Sequence, residues 1–173
     1  SSFGTNVFAV GLAIGNSHSC VLKNTGDVSC WGTNNRGQVG TVGSSITSPS
    51  NVGNFGSNHT EVPIFDFDGD GVLNIYQNSI NLRKTDASLG VGDAHVCNIV
   101  LDYSVRCWGN GDTGQLGING VVDKSTPQSL GSNIQATQID SGEQYSCMVL
   151  QSGQGKCWGW NAYGQLGDGT TTT

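Results

Sequence analysis

Apolar residues in this chain come in short runs, and turn residues break each run before a helical period could establish itself. The runs are rich in Val, Ile, Thr and aromatics, the composition of strands. The last unit divides most clearly. TQIDSGEQ (137–144) is a short polar–apolar segment, YSCMVLQ and QGKCWGW read as the two arms of a hairpin, and NAYGQLGDGT is a glycine-rich turn. The same order occurs upstream. HSCVLKNTGDVSCWGTNNRGQVG (18–40) and HVCNIVLDYSVRCWGNGDTGQLG (95–117) each carry C-x9-C-W-G followed by G-Q-[VL]-G. The pattern therefore predicts an all-β repeat protein.

The cysteines refine this picture. Cys20 and Cys30, Cys97 and Cys107, and Cys147 and Cys157 form three pairs, each ten residues apart, with none left over. Hairpins centred on Thr25, Asp102 and Ser152 would bring each pair face to face on antiparallel strands, close enough to bridge. Three local disulfides imply an oxidising compartment, and hence an extracellular or cell-surface setting. Buried free thiols in a reducing cell are the alternative. Zinc fits less well, because its sites favour shorter Cys spacing or mixed His ligands.

The chain has 173 residues, 27 of them glycine; 12% of residues are charged and the net charge is −6. An acidic surface does not suit nucleic acid, which is bound by clustered Lys and Arg. No run of about 18 apolar residues suggests a membrane span. The opening SSFGTNVFAVGLAIGNSHSC lacks a basic segment and does not read as a retained signal peptide.

The motif H-[ST]-C-x-L-x-x-x-G-x-V-x-C-W-G-x-N-x-x-G-Q-L-G resembles the repeat of the regulator of chromosome condensation family. The first copy carries it on His18, Trp31, Gly32, Gly37, Gln38 and Gly40, and the second on His95, Trp108, Gly109, Gly114, Gln115 and Gly117. The third has Tyr145, Trp158, Gly159, Gly164, Gln165 and Gly167. The resemblance implies a β-propeller, here three four-stranded blades forming a partial or assembled propeller. The expected divisions are 1–50 for the first repeat, 51–86 for an insertion, 87–131 for the second repeat and 132–173 for the third. The cysteine pairs depart from eukaryotic members and look more like secreted microbial ones. Relatives in the family act as an exchange factor for a small nuclear GTPase and as an inhibitor of a secreted β-lactamase. Disulfides and acidity disfavour the nuclear role. In physical terms, the Trp would pack between blades, and the Gln amide would tie a turn to the backbone of a neighbouring blade. Recurrence in all three copies marks these residues as scaffold, so His18 and His95 read as repeat residues and not as ligands.

Three blades do not close a ring. At about 50 residues per unit a seven-bladed ring needs about 350. The residues are expected either to belong to a longer array or to pair end to end with identical chains.

The insertion holds the one stretch that resembles a ligand site, FDFDGDGVLNIYQN (65–78). Asp66, Asp68 and Asp70 stand at loop positions 1, 3 and 5, with Val72 offering its carbonyl at 7 and Asn74 at 9. This spacing can converge on calcium, and it resembles the loops of dockerin modules and thrombospondin type 3 repeats. Gln77 stands at position 12, where an acidic ligand is usual, so the affinity should be reduced. An Asx-rich turn without metal is the alternative. Asn58 begins a glycosylation sequon in the same insertion. No motif arranges a nucleophile or an acid–base pair. Two functions stay open. One is a non-enzymatic extracellular structural protein that assembles with itself; the other is a secreted propeller module that binds a protein or glycan.

Overall fold

The computed structural model describes residues 7–23, 25–52, 88–100 and 102–173. Residues 53–87, which include Asn58 and the calcium-loop candidates 66–77, lie outside the described residues. Eleven strands and no helix occur among the described residues. The first sheet joins β1 (Ala9–Ile14), β2 (His18–Lys23), β3 (Val28–Gly32) and β4 (Ile46–Asn51) in that order. The second joins β5 (Leu89–Val91), β6 (His95–Ile99), β7 (Val105–Gly109) and β8 (Lys124–Ser129). The third contains β9 (Ala136–Ser141), β10 (Tyr145–Leu150) and β11 (Gly155–Gly159). All neighbours within a sheet are antiparallel.

The third sheet thus has three strands where four were expected. The reason is spacing. The fourth strand starts 15 residues after Trp31 in the first sheet (46 − 31) and 16 after Trp108 in the second (124 − 108). The same interval from Trp158 reaches residue 173 or 174, so a counterpart would start at the last residue of the sequence.

The hairpin registers follow the predicted centres. Leu22 faces Val28 around Thr25, Ile99 faces Val105 around Asp102, and Val149 faces Gly155 around Ser152. The sheets stack through apolar cores. Cys20, Leu22, Val28, Cys30 and Val39 of the first sheet region pack on Val91, Val96, Val100 and Trp108 of the second. Cys97, Ile99, Val105, Cys107 and Leu116 then pack on Ala136, Ile139 and Met148 of the third, with Trp158 at the margin. The middle sheet is covered on both faces, and every residue of β6 is buried.

Candidate functional site

Each cysteine pair occupies one register position. Cys20 faces Cys30, Cys97 faces Cys107 and Cys147 faces Cys157, with Cα atoms 4.1 Å apart in all three disulfides. No cysteine is free. The first two staples are fully buried, because a neighbouring sheet covers them; Cys157 is exposed.

The Trp after each second cysteine reaches back to the preceding sheet. Trp108 Nε1 donates to the Gln38 carbonyl at 3.1 Å, and Trp158 Nε1 donates to the Gln115 carbonyl at 2.8 Å. The Gln side chain does something other than the sequence suggested. Its Oε1 accepts the backbone N–H two residues earlier: Arg36 for Gln38, Thr113 for Gln115 and Tyr163 for Gln165, each at 2.9 Å. The amide therefore ties its own turn, and the main-chain carbonyl meets the neighbour. A short tight turn leaves that amide within reach of its own backbone, while the carbonyl alone points across the gap.

Two asparagines that stand in the repeat motif, but to which the sequence assigned no role, organise the same loops. Asn34 Oδ1 accepts Val39 N–H, and its Nδ2 donates to the Thr41 and Gly43 carbonyls. Asn161 does likewise, accepting Leu166 N–H and donating to the Thr170 and Thr172 carbonyls. The available signal was W-G-x-N in the first and third copies. In the second copy Gly111 takes the place, and a side chain there would strike the Val122 carbonyl at 2.2 Å.

His18 and His95 are buried at equivalent places, and Tyr145 fills the third. Each ring lies over the glycine three residues before it, Gly15, Gly92 or Gly142, whose N–H donates to the carbonyl of that same His or Tyr at 2.9 Å. His95 Nε2 lies 2.8 Å from Ser146 Oγ, whereas neither ring nitrogen of His18 has a hydrogen-bond partner. Burial lowers the His18 pKa to about 4 against the pull of Asp93, and burial with the charge of His18 lowers His95 to about 4. Both rings are neutral packing groups. Among the described residues no cluster of His, Cys, Asp or Glu is arranged to hold a metal.

A polar cleft of about 410 Å³ opens where the loops of the three sheets meet. Thr33, Arg36, Asp93, Asn110, Asp112 and Glu143 line it. Arg36 bridges the first and second sheets through Asp112 at 3.0 Å and Asp123 at 3.1 Å. These partners are well solvated, so the bridge fixes loop geometry more than it adds stability. The cleft presents carboxylates, amides, hydroxyls and the Arg36 guanidinium.

Residues 9–38 and 104–149 match the regulator of chromosome condensation (RCC1) repeat. The ultraviolet-B receptor UVR8 of Arabidopsis thaliana is 25% identical over 166 residues, covering 94% of this chain and 32% of that protein. Human WBSCR16 is similar in structure, with a TM-score of 0.71 at 18% identity, over 98% of this chain and 37% of that one. Yeast RCC1 (Prp20), in a structure bound to Kap60, gives 0.70 at 18% identity over 95% and 35%. This chain spans about a third of the length of each. Two of its stretches thus match the RCC1 repeat, and its sheets follow one another as successive blades of a β-propeller do.

Proposed function

We propose that the chain is a non-enzymatic binding module, in which disulfide-stapled blades hold the polar loop cleft against a protein partner. One observation carries this reading. The residues that recur in all three copies are consumed by packing and turn-making, whereas the exposed cleft residues Asp112 and Glu143 differ between copies and face solvent. Exposed loop positions outside the recurrent set are where specificity can be written. The likeness to yeast RCC1, which binds Kap60 in its own structure, is in keeping with a protein partner. Fold alone does not carry that role.

Three disulfides favour an oxidising setting, so the partner is sought at the cell surface or outside the cell. The test compares the wild-type chain with the double variant Asp112→Lys/Glu143→Lys, both immobilised. A specific protein retained by the first and lost by the second, with unchanged melting temperature, supports the reading. Identical retained sets would overturn it.

A further inference from the structure

The loops that follow each Trp-Gly pair are anchored alike. Thr33, Asn110 and Trp160 hold one repeat position, directly after Gly32, Gly109 and Gly159. Each donates its backbone N–H to the carbonyl just before His18, His95 or Tyr145, at 2.8, 2.8 and 3.0 Å. Thr33 and Asn110 line the polar cleft, and so does Gln144, whose carbonyl holds Trp160. The three loops therefore form one face, on which Trp160 follows the cleft as the next member of a row.

Side chains on this face divide by chemistry. Arg36 is already held by Asp112 and Asp123. The carboxylates of Asp93 and Glu143 and the side chains of Asn16, Ser17, Thr33 and Gln144 make no hydrogen bond or ion pair among the described residues. The cleft thus keeps open acceptors on two carboxylates, and donors together with acceptors on amides and hydroxyls. Beyond it, Trp160 and Tyr163 form an edge-to-face pair with ring centroids 5.2 Å apart. Tyr163 is 84% exposed. That exposure belongs to the repeat position: Arg36, in the place of Tyr163, is exposed beside the second sheet, and Thr33 and Asn110 are half-buried like Trp160.

We propose that this face is a carbohydrate-binding site, in which the open donors and acceptors of the cleft take the hydroxyls of a neutral glycan while Trp160 and Tyr163 pack on the C–H face of one of its sugars. The proposal rests on the reading of the cleft as the recognition site and deepens it, since the glycan is what the partner protein presents. A sugar hydroxyl both donates and accepts, which suits a mixed wall. A lysine or arginine side chain only donates. It would leave the amide and hydroxyl donors unmatched, which costs free energy once they lose water. An anionic sugar would be repelled by Asp93 and Glu143. The cleft of about 410 Å³ has the size of a small-ligand site, about 300–1,000 Å³, but not the apolar lining of most of them. The aromatic pair supplies the apolar part, because the electron-rich face of a ring attracts polarised C–H groups.

Binding of the 173-residue chain to immobilised oligosaccharides tests this, with neutral ones built of hexoses and N-acetylhexosamines beside sialylated and sulfated ones. The wild type should retain a neutral set and pass over the anionic ones. Trp160→Ala should weaken that binding by about tenfold, and Trp160→Phe, which keeps a ring, should recover most of it. Glu143→Ala should weaken it as well, and melting temperatures check that each variant is folded. Retention of no neutral oligosaccharide overturns the inference. So does a preference for anionic sugars, or neutral binding that either alanine variant leaves intact. The reading of the cleft as a recognition site fails separately. A partner protein that still binds after enzymatic deglycosylation, and is lost by Asp112→Lys/Glu143→Lys, keeps the cleft as a protein site and overturns only the glycan.

Discussion

At the scale of single residues, the three hairpin turns share one backbone requirement. Gly26, Tyr103 and Gly153 adopt φ of 86°, 66° and 82°, and each N–H donates to the carbonyl three residues earlier. An L-residue with a β-carbon costs about 1–2 kcal/mol in this region. Gly153 has nothing within 4 Å of where a β-carbon would stand, so Gly153→Ala isolates the backbone effect. It should lower stability by about 1 kcal/mol in urea unfolding, and an unchanged midpoint would contradict the turn geometry. The buried histidines set a second expectation. Their pKa values fall from the ordinary 6.5 to about 4, so between these values the unfolded chain binds more protons than the folded one. Stability should therefore fall as pH drops from about 6.5 to about 4, by up to about 3 kcal/mol for each ring. Urea midpoints across this range should flatten in His95→Gln, which removes one titrating ring; an equally steep profile would exclude it as a source. The positions of His18 and His95 in the repeat were readable from the sequence. That His95 meets Ser146 while both ring nitrogens of His18 go without a partner was not, because it depends on a neighbouring blade that no local pattern specifies.

At the scale of elements, the staples were legible and their inequality was not. Equal spacing gives each disulfide the same chain-entropy contribution, about 3 kcal/mol. Burial separates them. Cys20–Cys30 is covered by the second sheet, and Cys157 lies open. Dithiothreitol with alkylation and peptide mapping should find Cys147–Cys157 reduced first. Removing Cys20 and Cys30 together by alanine should cost more than removing the outer pair, since it also leaves a cavity between two sheets. Equal reduction rates would refute the ordering. The Gln turn teaches the same lesson, because the motif was visible while the choice between amide and carbonyl depends on which atom faces the adjacent blade. The Asp66–Asp68–Asp70 spacing is a sequence-based proposal for calcium, with Val72, Asn74 and Gln77 completing the set. Calorimetry with millimolar calcium should register heat that Asp68→Ala abolishes, and its absence would remove the proposal.

At the scale of the whole molecule, the stack behaves as a short one-dimensional array, in which each sheet is stabilised by itself and by its neighbours. The repeats announced such an array, but not which faces the chain itself covers. That depends on how the blades follow one another in space, and it separates the middle sheet from the outer two. All five residues of β6 are buried, whereas β1 exposes Val10, Leu12 and Ile14, and β11 begins with exposed Gly155, Lys156 and Cys157. Local opening costs least where few apolar groups hold a strand down. Amide exchange should therefore be slowest in β6 and β7 and fastest in β1 and β11, with the outer strands opening before the centre unfolds, and equal rates across the sheets would contradict the array.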